Sequence, residues 1–176
     1  MKIGIVSDSH GDTHAIDAML ARPEVQGVEC WLHAGDVAPD AEYLAMLTQR
    51  RVYKVAGNCD WPSSRVPDTE VISLAGHRIL LAHGHTFGVQ YDTDLFLRQA
   101  AGEECDIAVY GHTHCAEFLP GVITLINPGS IARPRDGVAG SFCILELTPD
   151  QPPQGEICHL DVPEPIFMQT THDIHK

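Results

Sequence analysis

Seven side chains in this sequence are carboxylate, carboxamide or imidazole donors set where chemistry can be done: Asp8, His10, Asp36, Asn58, His83, His112 and His114. They fall in five short phrases, Asp8-Ser9-His10, Gly35-Asp36, Gly57-Asn58-Cys59-Asp60, His83-Gly84-His85 and Gly111-His112-Thr113-His114. Each phrase follows a short apolar run that reads as a strand. A structural zinc prefers two compact Cys/His pairs, which this spread of oxygen and nitrogen donors does not offer. The set suits two divalent ions clamped ~3.5–4 Å apart for hydrolysis.

Taken singly, each phrase has an ordinary explanation. Asp36 beside Gly35 could cap a helix, Asn58 could be a turn residue, and His83 or His112 could be a satisfied core histidine. Asp8 with His10, and His112 with His114, are expected to alternate on extended segments so that each pair points at one ion. Asp36 can use both carboxylate oxygens to bridge two cations. Five such phrases in a fixed order, each behind a strand, are hard to obtain as unrelated events, and they are read together as one metal site.

The elements that must position these donors follow from the apolar pattern. Lys2–Val6, Cys30–Ala34 and Val52–Ala56 read as strands. Helices are expected from Asp12 or Thr13 to Ala21 and from about Asp40 to Arg50. This β-α-β-α-β order implies parallel strands with right-handed crossovers. Ligands in such sheets collect at the carboxyl ends, where Asp8, Asp36 and Asn58 all fall. Beyond them, Glu70–Leu74 and Arg78–Ala82 form a hairpin that delivers His83. Thr93–Ala101 reads as a helix and Ile107–Tyr110 as the strand before Gly111. Ala116–Leu119 pairs with Val122–Ile126, and Ser141–Leu147 with Glu156–Leu160. Asn127-Pro128-Gly129-Ser130 reads as a tight turn at the edge of the site. Trp31 and the Phe residues are expected to fill core, and the tail after Pro163 to fray.

Composition narrows the function. The chain of 176 residues has 11 Lys and Arg against 24 Asp and Glu, a formal net charge of −13. That argues against an extended nucleic-acid surface, which needs clustered cations, but not against a short phosphoester held by metals. The six Cys show no CxxC pair and read as reduced thiols. No apolar run approaches the ~18 residues of a membrane span. One cytoplasmic domain covering 1–176 is the expectation.

The order D-x-H, GD, GN, HGH, GHTH resembles the calcineurin-like metallophosphoesterase superfamily. GNCD at 57–60, LAHGHTFG at 81–88, YGHTH at 110–114 and NPGSIARPR at 127–135 narrow the resemblance to small YfcE-like phosphodiesterases. The resemblance spans roughly residues 1–147. It implies an α/β fold: a sandwich of two mixed sheets flanked by helices, in four layers, αββα. It implies that Asp8, His10 and His114 bind one metal, that Asn58, His83 and His112 bind the other, and that Asp36 bridges them. Most of the superfamily has a His after the metal-binding Asn, thought to protonate the leaving group, where this chain has Cys59. A thiol is a poorer donor than an imidazole, so leaving groups of low pKa should be favoured. Asp60 is expected to orient Asn58 or Cys59, and His85 to contact phosphate or support the site. Arg133 and Arg135 could pair with a phosphate or with a neighbouring subunit.

The function so implied is phosphodiester hydrolysis, in which a hydroxide bridging the two ions attacks phosphorus. The donor set suits Mn²⁺, with Ni²⁺, Fe or Zn²⁺ as alternatives. The substrate would be a small phosphodiester, whether a cyclic nucleotide, a nucleotide derivative or a phospholipid fragment, and a homo-oligomer is expected. The alternative is an interaction scaffold, because the retromer coat contains a subunit of similar fold that acts mainly in assembly. A scaffold can lose metal-site donors without penalty, whereas all seven positions here keep them.

Overall fold

The computed structural model describes residues 1–61 and 65–160, so the expectation for the tail and part of the 61–67 loop lie outside it. In chain order the elements are β1 (Lys2–Val6), α1 (Thr13–Leu20), β2 (Cys30–His33), α2 (Ala38–Thr48), β3 (Arg51–Lys54), β4 (Thr69–Leu74) and β5 (His77–Ala82). There follow α3 (Asp94–Gly102), β6 (Ile107–Val109), β7 (Ala116–Leu119), β8 (Thr124–Pro128), β9 (Ser141–Glu146) and β10 (Gln154–His159). They build two five-stranded sheets, ordered β10-β9-β1-β2-β3 and β4-β5-β6-β8-β7. β1, β2 and β3 are parallel, as are β5, β6 and β8, so each sheet has one edge where carboxyl ends gather.

Alternation along the strands makes the layers. Ile3, Ile5, Leu32, Ile79, Leu81, Ile107, Val109 and Leu145 point between the sheets and form the central core. The opposite faces carry a second set. Trp31, Phe142 and Ile144 meet Ile16 and Met19 of α1 and Leu44 of α2 on the first sheet. Leu80, Ala108 and Tyr110 meet Phe96 and Ala100 of α3 on the second. The result is the expected αββα sandwich. Each fully buried aliphatic side chain contributes roughly 1.5–3 kcal/mol through removal of its surface from water. Gly4 sits beside Trp31 in the parallel register, and a Cβ there would lie 2.3 Å from the indole ring. The wide ring and the missing side chain are therefore one packing solution.

Boundaries moved where turn chemistry intervened. The second helix starts at Ala38 with Pro39 in its first turn, a position that needs no N–H. The third strand stops at Lys54, and Ala56 donates to Pro67 O (2.8 Å) instead of extending the sheet. β8 runs later than expected and takes in Asn127 and Pro128, so only Gly129 and Ser130 of that phrase remain for the turn. Pro128 is tolerated there because pairing with β6 has already ended at Ile126. The first helix begins as expected, with the Asp12 carboxylate accepting from Ala15 N (3.1 Å). Among the described residues, no helix is long and apolar enough to cross a membrane. All six Cys are unpaired; four are buried, while Cys59 and Cys115 are exposed.

Candidate metal centre

The carboxyl edges of both sheets meet at one place, and all seven donors converge there. Ligand atoms of Asp8, His10, Asp36 and His114 lie within 4.8 Å of one another. The other three adjoin them. The Asn58 carbonyl oxygen is 3.1 Å from His83 Nε2 and 3.0 Å from His112 Nδ1. Asp36 sits between the halves, 3.8 Å from His10 Nε2 and 3.4 Å from His83 Nε2.

The arrangement is a fit for cations. Asp8 Oδ1 is buried and, among the described residues, accepts no hydrogen bond, although His114 Nε2 lies 3.2 Å away. His114 donates from Nδ1 to Arg133 O (2.6 Å), and His83 from Nδ1 to Ala34 O (2.8 Å). A ring that donates from Nδ1 leaves the Nε2 lone pair for a ligand. His10 Nε2 and His114 Nε2 face each other at 3.2 Å, both turned to the same point beside Asp8 and Asp36. Acceptors crowded in this way could hold divalent ions, and carboxylate with imidazole suits the harder first-row metals.

Burial sets the protonation states. It pushes the His10, His85 and His112 imidazoles below their ordinary value, which keeps them neutral. Asp8 keeps its charge: burial pushes its carboxyl up, but His114, His83 and Ser7 together outweigh burial and hold it below the usual range. His114 is raised by its contact with Asp8.

Local backbone geometry departs from the expectation of extended segments. Asp8 (φ 54°), His10 (φ 48°), Asp36 (φ 59°), His112 (φ 69°) and His114 (φ 61°) all lie in the left-handed region. Non-glycine residues pay roughly 1–2 kcal/mol each for that conformation, and such outliers cluster at functional sites. Each pair of donors therefore turns toward the centre by coiling. Two glycines let the loops close on one another. A Cβ on Gly57 would lie 2.0 Å from Asp36 Oδ1, and one on Gly111 2.0 Å from Ser7 Oγ and 2.7 Å from Asp8 Oδ2.

Supporting groups surround the donors. Ser7 Oγ (2.6 Å) and His112 N (3.1 Å) donate to Asp8 Oδ2. Cys59 N donates to Asp36 Oδ1 (2.9 Å). Asp60 bonds neither the Asn58 nor the Cys59 side chain and acts on the turn that carries them. Its carboxylate accepts from Gly57 N (2.8 Å) and Ala38 N (2.7 Å), tying the 57–60 turn to the start of α2. His85 stands behind His83, with ring centroids 5.4 Å apart, and its Nδ1 is buried without a partner among the described residues. Burial and Asp36 push the Cys59 thiol up to about 11, so it is protonated at neutral pH.

One supporting group, His33, escaped the sequence reading, and two more, Asn127 and Ser130, lie in the phrase read only as a turn at the edge of the site. His33 is fully buried, receives Gly35 N at Nδ1 (3.3 Å) and meets Ser9 Oγ at Nε2 (3.1 Å). Ser130 Oγ donates to Asp8 O (2.8 Å) and accepts from Arg133 N (2.7 Å). Asn127 donates to Gly111 O (3.1 Å) and Thr113 Oγ1 (2.9 Å), so it braces the 111–114 loop from the strand. The only sequence signal was proximity to the site phrases. A cleft of about 480 Å³ opens over the centre, lined by His10, Asp36, Asn58, Cys59, His112, His114 and the 133–135 segment.

Comparison with known proteins assigns the class. A calcineurin-like phosphoesterase superfamily domain matches residues 1–150, and the chain belongs to that superfamily of phosphoester hydrolases. It is 32% identical to the probable metallophosphoesterase YsnB of Bacillus subtilis, over 85% of this chain and 86% of that one. It is 30% identical to the phosphodiesterase YfcE of Escherichia coli, over 83% of this chain and 88% of that one. The solved structure of a predicted phosphoesterase from Streptococcus pneumoniae superposes with a TM-score of 0.75 at 29% identity, covering 93% of both chains.

Proposed function

We propose that this chain is a dinuclear metal-dependent phosphodiesterase acting on small phosphodiesters. The observation that carries the reading is the clustering of four donors that include the buried Asp8, whose Oδ1 accepts no hydrogen bond among the described residues, with Asn58, His83 and His112 adjoining them. Asp8, His10 and His114 would hold one ion, Asn58, His83 and His112 the other, and Asp36 would bridge them. The ions, Mn²⁺ in the first instance, supply an activated water and positive charge for the phosphoryl oxygens.

The protein does the rest by placement. Ala34 O and Arg133 O fix the tautomers of His83 and His114. The cleft orients the ester, while Ser7 and His112 N hold the Asp8 carboxylate in its rotamer. His85, half-buried beside His83, supports that ring. Water adds across the ester bond: a new P–O bond forms, the ester P–O bond breaks, and the departing oxygen takes a proton. Cys59 carries a proton at neutral pH but gives it up reluctantly. Good leaving groups are therefore favoured, and alkyl monoesters are poor substrates. An interaction scaffold can lose such donors without penalty, whereas all seven positions here keep them.

The test compares bis(p-nitrophenyl) phosphate with p-nitrophenyl phosphate on metal-stripped protein, with Mn²⁺ added back. Metal-dependent turnover of the diester, with little on the monoester, is the expected result. No turnover of either with Mn²⁺, Ni²⁺ or Zn²⁺ would overturn the reading and leave the scaffold.

A further inference from the structure

Two arginines line the cleft without a carboxylate partner among the described residues. Arg133 and Arg135 line it beside His10, Asp36 and His114. Among the described residues neither guanidinium makes an ion pair or hydrogen bond. Several other cations are engaged, Lys54 with Glu42, Arg22 with Glu24 and Arg78 with Glu103 O, while Arg50 and Arg65 also lack a side-chain partner among the described residues but line no part of this cleft. The acid beside Arg135, Asp136, instead accepts from Ala116 N (3.1 Å) and Val138 N (3.4 Å). A chain with a net charge of −13 has no shortage of carboxylates to neutralise two arginines. Their backbone is also pinned to the metal centre. Arg133 O receives His114 Nδ1, Arg133 N donates to Ser130 Oγ, and Arg135 N donates to His114 O (3.0 Å). The backbone that carries the two arginines is therefore held at a set position relative to the donor cluster.

Formal charge says what they are for, granted the phosphodiesterase reading on which this rests. Two divalent ions are already balanced by Asp8, Asp36, a deprotonated water and a singly charged diester. Two further cations are surplus to such a substrate, whereas guanidinium forks match the geometry of an ionised phosphoryl group. We propose that Arg133 and Arg135 bind a second ionised phosphoryl group on the substrate, and that the natural substrate is a diester carrying one. The hydrolytic step itself is unchanged.

The test uses thymidine 5′-(p-nitrophenyl phosphate) with and without a 3′-phosphate, so that the leaving group is constant. In the Mn²⁺-loaded wild-type protein the added phosphate should lower KM by about tenfold. In the Arg133→Gln/Arg135→Gln variant that advantage should shrink below about threefold, with kcat changing little between the two esters. Independently, calorimetry on metal-free protein should show pyrophosphate binding more tightly than phosphate, a preference lost in the variant. An advantage present in wild type and lost in the variant, in either assay, supports the proposal. It is overturned if neither assay shows that loss, whether because wild type has no preference or because the preference survives in the variant, or if the only change is in oligomeric state. Should wild type hydrolyse neither ester, the phosphodiesterase reading fails while calorimetry still decides the anion site.

Discussion

At the scale of single residues, Asp36 and His33 make different demands on the same loop. Asp36 spans the two halves of the centre, so Asp36→Asn should lower bound metal below two ions per chain and cut turnover at least about a hundredfold, consistent with loss of a few kcal/mol of electrostatic stabilisation. Metal analysis and diester kinetics check this together; two metals with full activity would refute the bridging role. His33 is read through pH. Burial holds its imidazole down to about 4, despite attraction from Asp40, Asp8 and Asp60. The unfolded chain protonates near ~6.5, so this stabilisation is complete above that pH and is lost as pH falls toward the folded value. The loss is on the order of 3 kcal/mol. Urea midpoints from pH 7 to 4.5 should fall more steeply for wild type than for His33→Gln. The site's donors were legible in the sequence because each stands directly behind an apolar strand. His33 was not, because one histidine inside an apolar strand looks like core. The left-handed turns were equally hidden, since nothing in Asp8-Ser9-His10 distinguishes coiling from extension.

At the scale of elements, the loops close on one another more tightly than side chains would allow. Gly111→Ala places a methyl against Ser7 and Asp8, backed by fully buried groups. It is expected to lower both metal affinity and Tm, while Gly102→Ala, which meets nothing within 4 Å, should be neutral or better. Ser130→Ala leaves the Arg133 N–H without its acceptor and should cost about 1–3 kcal/mol in denaturant titration. The elements themselves were readable because strands covered on both faces read as short continuous apolar runs between turn residues. Their ends were less so. Pro39 pulled the second helix forward, and Asn127 and Pro128 joined a strand because their turn residues were needed as braces, a tertiary reason with no local mark.

At the scale of the whole molecule, a strongly acidic chain gathers its acceptors at one edge shared by two sheets. Cations that bind only the folded state should stabilise it. Tm should rise with Mn²⁺ concentration, by about 2.7 kcal/mol of added stability at a hundred times the dissociation constant, and chelator should reverse the gain; calorimetry with and without Mn²⁺ checks this. The five left-handed residues give that dependence a sharper edge. Glycine is at ease where Asp8, His10, Asp36, His112 and His114 are not. Replacing His112 with Gly should therefore make the metal-free protein firmer than the native sequence while abolishing its occupancy. The native loops trade rest-state comfort for readiness, and a cell poor in the right metal would hold this protein in its least contented form.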